Sequence, residues 1–127
     1  MKKGLISISK SILILVIIMV FGFGFRPITE VENEPTKIFT CELKSVNVDS
    51  TTNDIQLRLA NSNLEFYINR GAHNQLLIDV LDANLERPIT ITYVNREDLI
   101  SSFSNARHVC KVQADDSVFY SEFKTEN

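Results

Sequence analysis

The chain is predicted to fold as a small, mainly β domain with one short helix, an α+β barrel or curved antiparallel sheet behind an N-terminal apolar helix. Three observations predict it. After residue 36, apolar residues alternate with polar ones in several short runs, the period of half-buried strands. One run, residues 74–85, changes to the period of an amphipathic helix. The most apolar stretch, Ser11–Phe25, precedes the first acidic residue, Glu30, and has no polar face.

The N-terminal segment comes first in the chain. Lys2, Lys3 and Lys10 precede Ile12–Phe21, ten apolar residues without a break, and Gly22 and Gly24 follow at a spacing of two. A basic start, an apolar middle and a small-x-small end describe a secretory signal cleaved after Gly24. The competing expectation is an uncleaved membrane anchor through residues 4–25. At about 1.5 Å per residue that stretch reaches about 33 Å, enough for a hydrocarbon core of about 30 Å, with Lys10 snorkelling to the interface. Residues 1–26 are thus a signal or an anchor. The bias of positive charge before the apolar run places residues 27–127 outside the cytoplasm. The expected location is exported: membrane-anchored facing outward, or periplasmic or secreted after cleavage.

Removing residues 1–26 from the 127 leaves 101 residues, the size of one domain. That part carries nine basic and all sixteen acidic residues, a formal charge of −7. An acidic domain without a Lys/Arg cluster argues against nucleic acid and against attachment to anionic lipid. Cys41 and Cys110 are the two cysteines. In an exported domain an even count implies a disulfide. It would close a loop of about 70 residues, worth about 4 kcal/mol in the chain-entropy model. Two cysteines and the distant His73 and His108 lack zinc-ligand spacing, so neither metal nor cofactor is expected.

Residues 27–36, PITEVENEPT, read as an acidic extended linker before a β-rich domain over 37–127. Lys37–Val48 places Phe39, Cys41 and Leu43 on one strand face. After a turn over 48–55, Ile55, Leu57 and Leu59 alternate with Gln56, Arg58 and Ala60. Asn61-Ser62-Asn63 reads as a tight hairpin connection, and Leu64, Phe66 and Ile68 alternate in the strand after it. Leu76, Leu77, Val80, Leu81 and Leu85 have helical spacing, with Asn74 as N-cap and Pro88 blocking continuation. Ile89–Val94 returns to a strand, and a helical turn is expected over Glu97–Phe103. Two last strands flank Asp115-Asp116 as a hairpin. Three strands, a helix and further strands is an element order that resembles an OB-fold. The resemblance is at fold level and implies a small barrel with the helix plugging one end.

For chemistry, the best polar constellation is FYINRGAHN, Phe66–Asn74, at the junction of third strand and helix. Tyr67, Arg70, His73 and Asn74 are the candidate binding residues. Arg70 suits a carboxylate and His73 a proton, while Gly71 permits an unusual backbone angle. The plainer reading has Gly71 making the turn, Asn74 capping the helix, and Arg70 and His73 solvated. His108 shares a strand face with Cys110 and reads as packed. Glu97-Asp98 and Asp115-Asp116 read as turn or surface pairs. There is no G-x-S-x-G elbow and no glycine-rich phosphate loop. NVDSTTND lacks the glycine and distal glutamate of an EF-hand. The expectation is a non-enzymatic binding or structural module contacting a protein or glycan of the cell envelope. The alternatives are an inhibitor or protective protein for an exported partner, and a small hydrolase or isomerase using Arg70 and His73.

Overall fold

A computed structural model describes residues 10, 12–19, 30–96 and 103–124. Six strands form its body: β1 (Thr36–Val48), β2 (Ile55–Leu59), β3 (Glu65–Ile68), β4 (Pro88–Val94), β5 (Ala106–Ala114) and β6 (Ser117–Ser121). β1 pairs antiparallel with both β2 and β4, β2 with β3, and β4 with β5. A parallel pairing of β3 with β5 closes the ring, so the order around the barrel is β1-β2-β3-β5-β4. β6 lies outside the ring, paired antiparallel with β5. This closed, mixed five-stranded barrel is OB-like. An open antiparallel sheet, the other expectation, is excluded by the β3–β5 pairing.

β1 belongs to two walls because it is long and bent. Its first half, Thr36–Glu42, pairs with β4, and its second half, Leu43–Val48, pairs with β2. The register slips between Leu43 and Ser45, a bulge that turns the strand from one wall to the next. Alternation then fills the interior. Leu43, Ile55, Leu57, Phe66, Ile68, Ile89, Ile91, Val109 and Val112 are buried there, with Phe39 and Cys41 packed against them. The helix Gln75–Ala83 covers the barrel with Leu77 and Leu81 buried and Ile78 packed alongside. Asn74 caps it: its Oδ1 accepts the Leu77 N–H at 3.1 Å, a bond worth about 1 kcal/mol. Leu76, expected on the buried face, is 74 % exposed. Adjacent leucines in a helix point about 100° apart, and Leu77 and Leu81, four apart, set the inner face.

Four further expectations are corrected or bounded. Cys41 and Cys110 are both free thiols, not a disulfide. They lie on non-neighbouring strands with β4 between them, two spacings or about 9.6 Å apart laterally, beyond the ~6.8 Å that a disulfide spans between Cα atoms. They also face opposite ways, Cys41 toward the barrel interior and Cys110 into an outer cluster with Val31, Val94 and Phe123. The Cys41 thiol donates to the Ala60 carbonyl at 2.8 Å and the Cys110 thiol to that of Thr92 at 3.3 Å. The residues expected as the end of a linker are folded: Val31–Asn33 makes a 3-10 turn and Val31 is buried. Residues 10 and 12–19 are helical. Among the described residues no helix is long and apolar enough to cross a membrane. This overturns the expected anchor through residues 4–25 and the membrane-anchored location drawn from it. Gly22 and Gly24, and the expected helical turn up to Ser102, lie outside the described residues.

Candidate ligand groove

The outer face of β2 and β3 carries the residues that alternation turns away from the core: Gln56 and Arg58 on β2, Glu65 and Tyr67 on β3. Gln56 sits opposite Tyr67 in the register. The β1–β2 turn rises beside them, and together they bound a groove of 320 Å³. A second depression, of 480 Å³, continues toward the Asn61–Asn63 hairpin and shares Arg58 and Glu65 with the first. The boundary between the two is the Arg58–Glu65 pair, 3.2 Å and largely solvated. A pair of that exposure is worth under about 1 kcal/mol, so a ligand can part it at small cost.

The turn at the end of the groove is built by its own side chains. Asp49 Oδ1 accepts the N–H groups of Thr51 and Thr52 at 2.8 and 3.3 Å, and Asn53 takes the left-handed φ of 62° that asparagine tolerates. Asp54 Oδ1 accepts the Arg70 N–H at 2.8 Å and fixes Arg70 at φ 52°. Asp49, Asp54 and Glu65 therefore line the groove with one cation, Arg58. Its local balance is negative.

Of the predicted site residues, Tyr67 alone lines the groove. Arg70 reaches the groove's loop through its backbone, and Asn74 is used in the helix cap. Arg70 and His73 are exposed, and among the described residues no hydrogen bond or ion pair joins them. Gly71 does not have the expected unusual angle: the left-handed residue is Arg70. Gly71 is needed for space, because a Cβ there would meet Ile55 Cδ1 at 2.7 Å and Ile68 Cγ2 at 3.0 Å.

Sequence reasoning missed what stands behind Tyr67. Its ring meets that of His108 edge to face at 5.5 Å. His108, 8 % exposed, bonds through Nε2 to Glu122 Oε2 at 2.8 Å. The other oxygen of Glu122 accepts the Tyr120 hydroxyl. Burial raises the Tyr67 and Tyr120 hydroxyls above their ordinary values and pushes the Cys110 thiol up to about 11. Burial also works against charge on Glu122, but bonds from His108 and Tyr120 outweigh it and hold the carboxyl below its ordinary value. A lowered folded value means this stabilisation is present above the unfolded value of about 4.3 and is lost as pH falls through the folded one. We therefore expect Glu122→Gln to flatten the fall in stability below about pH 4.3. Urea midpoints measured from pH 3 to pH 7 check this. Equal slopes in both proteins would refute it. No known protein family, curated protein or solved structure matches the chain.

Proposed function

We propose that the protein is a non-catalytic binding module that takes a positively charged, extended ligand along the outer face of β2 and β3. The observation that carries this is the groove itself: it occupies the face that OB-like barrels use for ligands, and its charge is Asp49, Asp54 and Glu65 against Arg58. The reading is also supported by the formal charge of −7 over residues 27–127, which steers cations toward the domain. The second depression, lined by Lys44 and Arg58 against Glu65, lacks this negative balance, so the cationic end of the ligand belongs beside Asp49 and Asp54.

The test is a titration of the isotopically labelled protein with a short lysine-rich peptide, followed by amide shifts at low and at physiological salt. Shifts should concentrate at Gln56, Arg58, Glu65 and Tyr67, and affinity should fall as ions screen the charges. Asp49→Asn, which keeps an oxygen for the turn but removes a charge, should weaken binding several-fold. Shifts spread equally over Asp79 and Asp82 of the helix and Glu86 after it would mean unspecific attraction and would refute the proposal.

A further inference from the structure

The two ends of the domain meet on one outer face of the barrel. After β6, the Glu122 N–H donates to the Cys110 carbonyl at 2.8 Å, Phe123 packs with Val31, Val94 and Cys110, and the Lys124 N–H donates to Glu32 Oε1 at 2.8 Å. Before β1, the Asn95 N–H donates to the Pro35 carbonyl at 2.8 Å, and Arg96 grips Glu34. Beyond β1 and β6 one backbone bond at each end continues the ladder, Asn95 N–H to Pro35 and Glu122 N–H to Cys110. The two ends also hold each other, through the Glu32 carboxylate and a four-residue apolar cluster.

We propose that these ends form one clasp, and that its docking sets the pose of Tyr67, so that the clasp and the groove report each other's state. The path is short. Glu122 fixes the His108 ring from the clasp side, and the His108 ring supports Tyr67 from behind. Tyr67 forms part of the groove wall on its other side. When the segment 122–124 lifts, His108 loses the acceptor that orients it, and Tyr67 loses a ring held at a defined angle. Terminal segments are where a domain opens at least cost. By linkage, a ligand that prefers the docked pose of Tyr67 tightens the clasp by the same factor that the clasp tightens the ligand. Other charged and titratable groups around Glu122 are Glu30, Glu32 and Lys124 from the two ends, and Tyr120 and Cys110 from β6 and β5. None of them reaches the groove.

The coupling exists in the free protein, so its test does not depend on which ligand the groove takes. Amide hydrogen exchange and amide shifts are measured on the full chain, on Glu122→Gln and on Phe123→Ala, which loosens the clasp while leaving the His108 and Glu122 side chains themselves unaltered. In both variants exchange at residues 31–34 and 122–124 should rise about tenfold or more, as loss of one charge-assisted bond or of one packed aromatic ring allows. Exchange in the core of β1–β5 should hold. The Gln56 and Arg58 amides should shift in both variants. In a Tyr67→Leu background, adding Glu122→Gln should no longer move them. Faster exchange at the ends with a silent groove would overturn the proposal. So would unchanged exchange at the ends, or a groove that still responds without Tyr67.

Discussion

Phe66→Ala is expected to remove about 3–5 kcal/mol of stability. Among the described residues Phe66 is the largest fully buried side chain. It stands on β3 and reaches across the interior, stacked on Phe39 of β1 at 6.3 Å and meeting Tyr93 of β4 edge to face at 5.2 Å. It therefore joins one wall of the barrel to the opposite one. β3 is only four residues long, and Phe66 is one of its two buried side chains. A domain of this size has about 5–15 kcal/mol in all, so the truncation costs a large share. Phe66→Leu leaves a smaller void and should cost about half as much. Urea unfolding checks both: the midpoint should fall while the slope stays constant. A loss under about 1 kcal/mol would mean that the interior collapses around the void, and that Phe66 is not the tie described here. The neighbours of Phe66 along β3 are Glu65 and Tyr67, which face the groove. Loosening the strand inside should therefore broaden the groove's amide signals before the barrel unfolds.

Local features of the barrel were legible because each depends on a few neighbouring residues. Ile55, Leu57 and Leu59 are buried in strict alternation with exposed Gln56 and Arg58, and that period is written directly in the chain. Asn74 was legible as a cap because its role needs only the residues just after it. Closure was not legible in the same way. The parallel pairing of Glu65 with Ala106 joins residues far apart in the chain, and nothing local marks it; only the order of elements hinted at a barrel. The cysteines failed for that reason. Their count was visible, but whether they meet depends on β4 lying between their strands. Of the site, Tyr67 was legible as an outward residue beside the helix junction. Its support by His108 and Glu122 was not, because Glu122 lies past the end of β6, where no periodicity fixes its direction. Arg70 and His73 stood out by residue type, yet their side chains turn to solvent.

Glu34→Gln should cost about 3 kcal/mol, well beyond a surface pair. Arg96 grips both oxygens of Glu34, with Nε at 2.7 Å and Nη2 at 2.5 Å. Only 11 % and 6 % of the two side chains are exposed. In such a site the carboxylate matters less for what the pair adds than for what its loss leaves: a guanidinium shielded from water that has lost the charge of Glu34 beside it. The pair joins the segment before β1 to the end of β4, beside the bond from the Asn95 N–H to Pro35. It is thus the N-terminal fastening of the clasp, as Glu122 is the C-terminal one. Replacing both partners by apolar residues, Glu34→Leu with Arg96→Met, should restore much of the loss, because the cost of stripping water from the charges disappears with them. Thermal or urea unfolding of the two singles and the double forms a cycle that isolates the pair. If Glu34→Gln costs under about 1 kcal/mol, the pair behaves as a solvated one, and the N-terminal segment is held by Val31 and its apolar neighbours instead. In that case Val31→Ala should release residues 31–34 to exchange where Glu34→Gln does not.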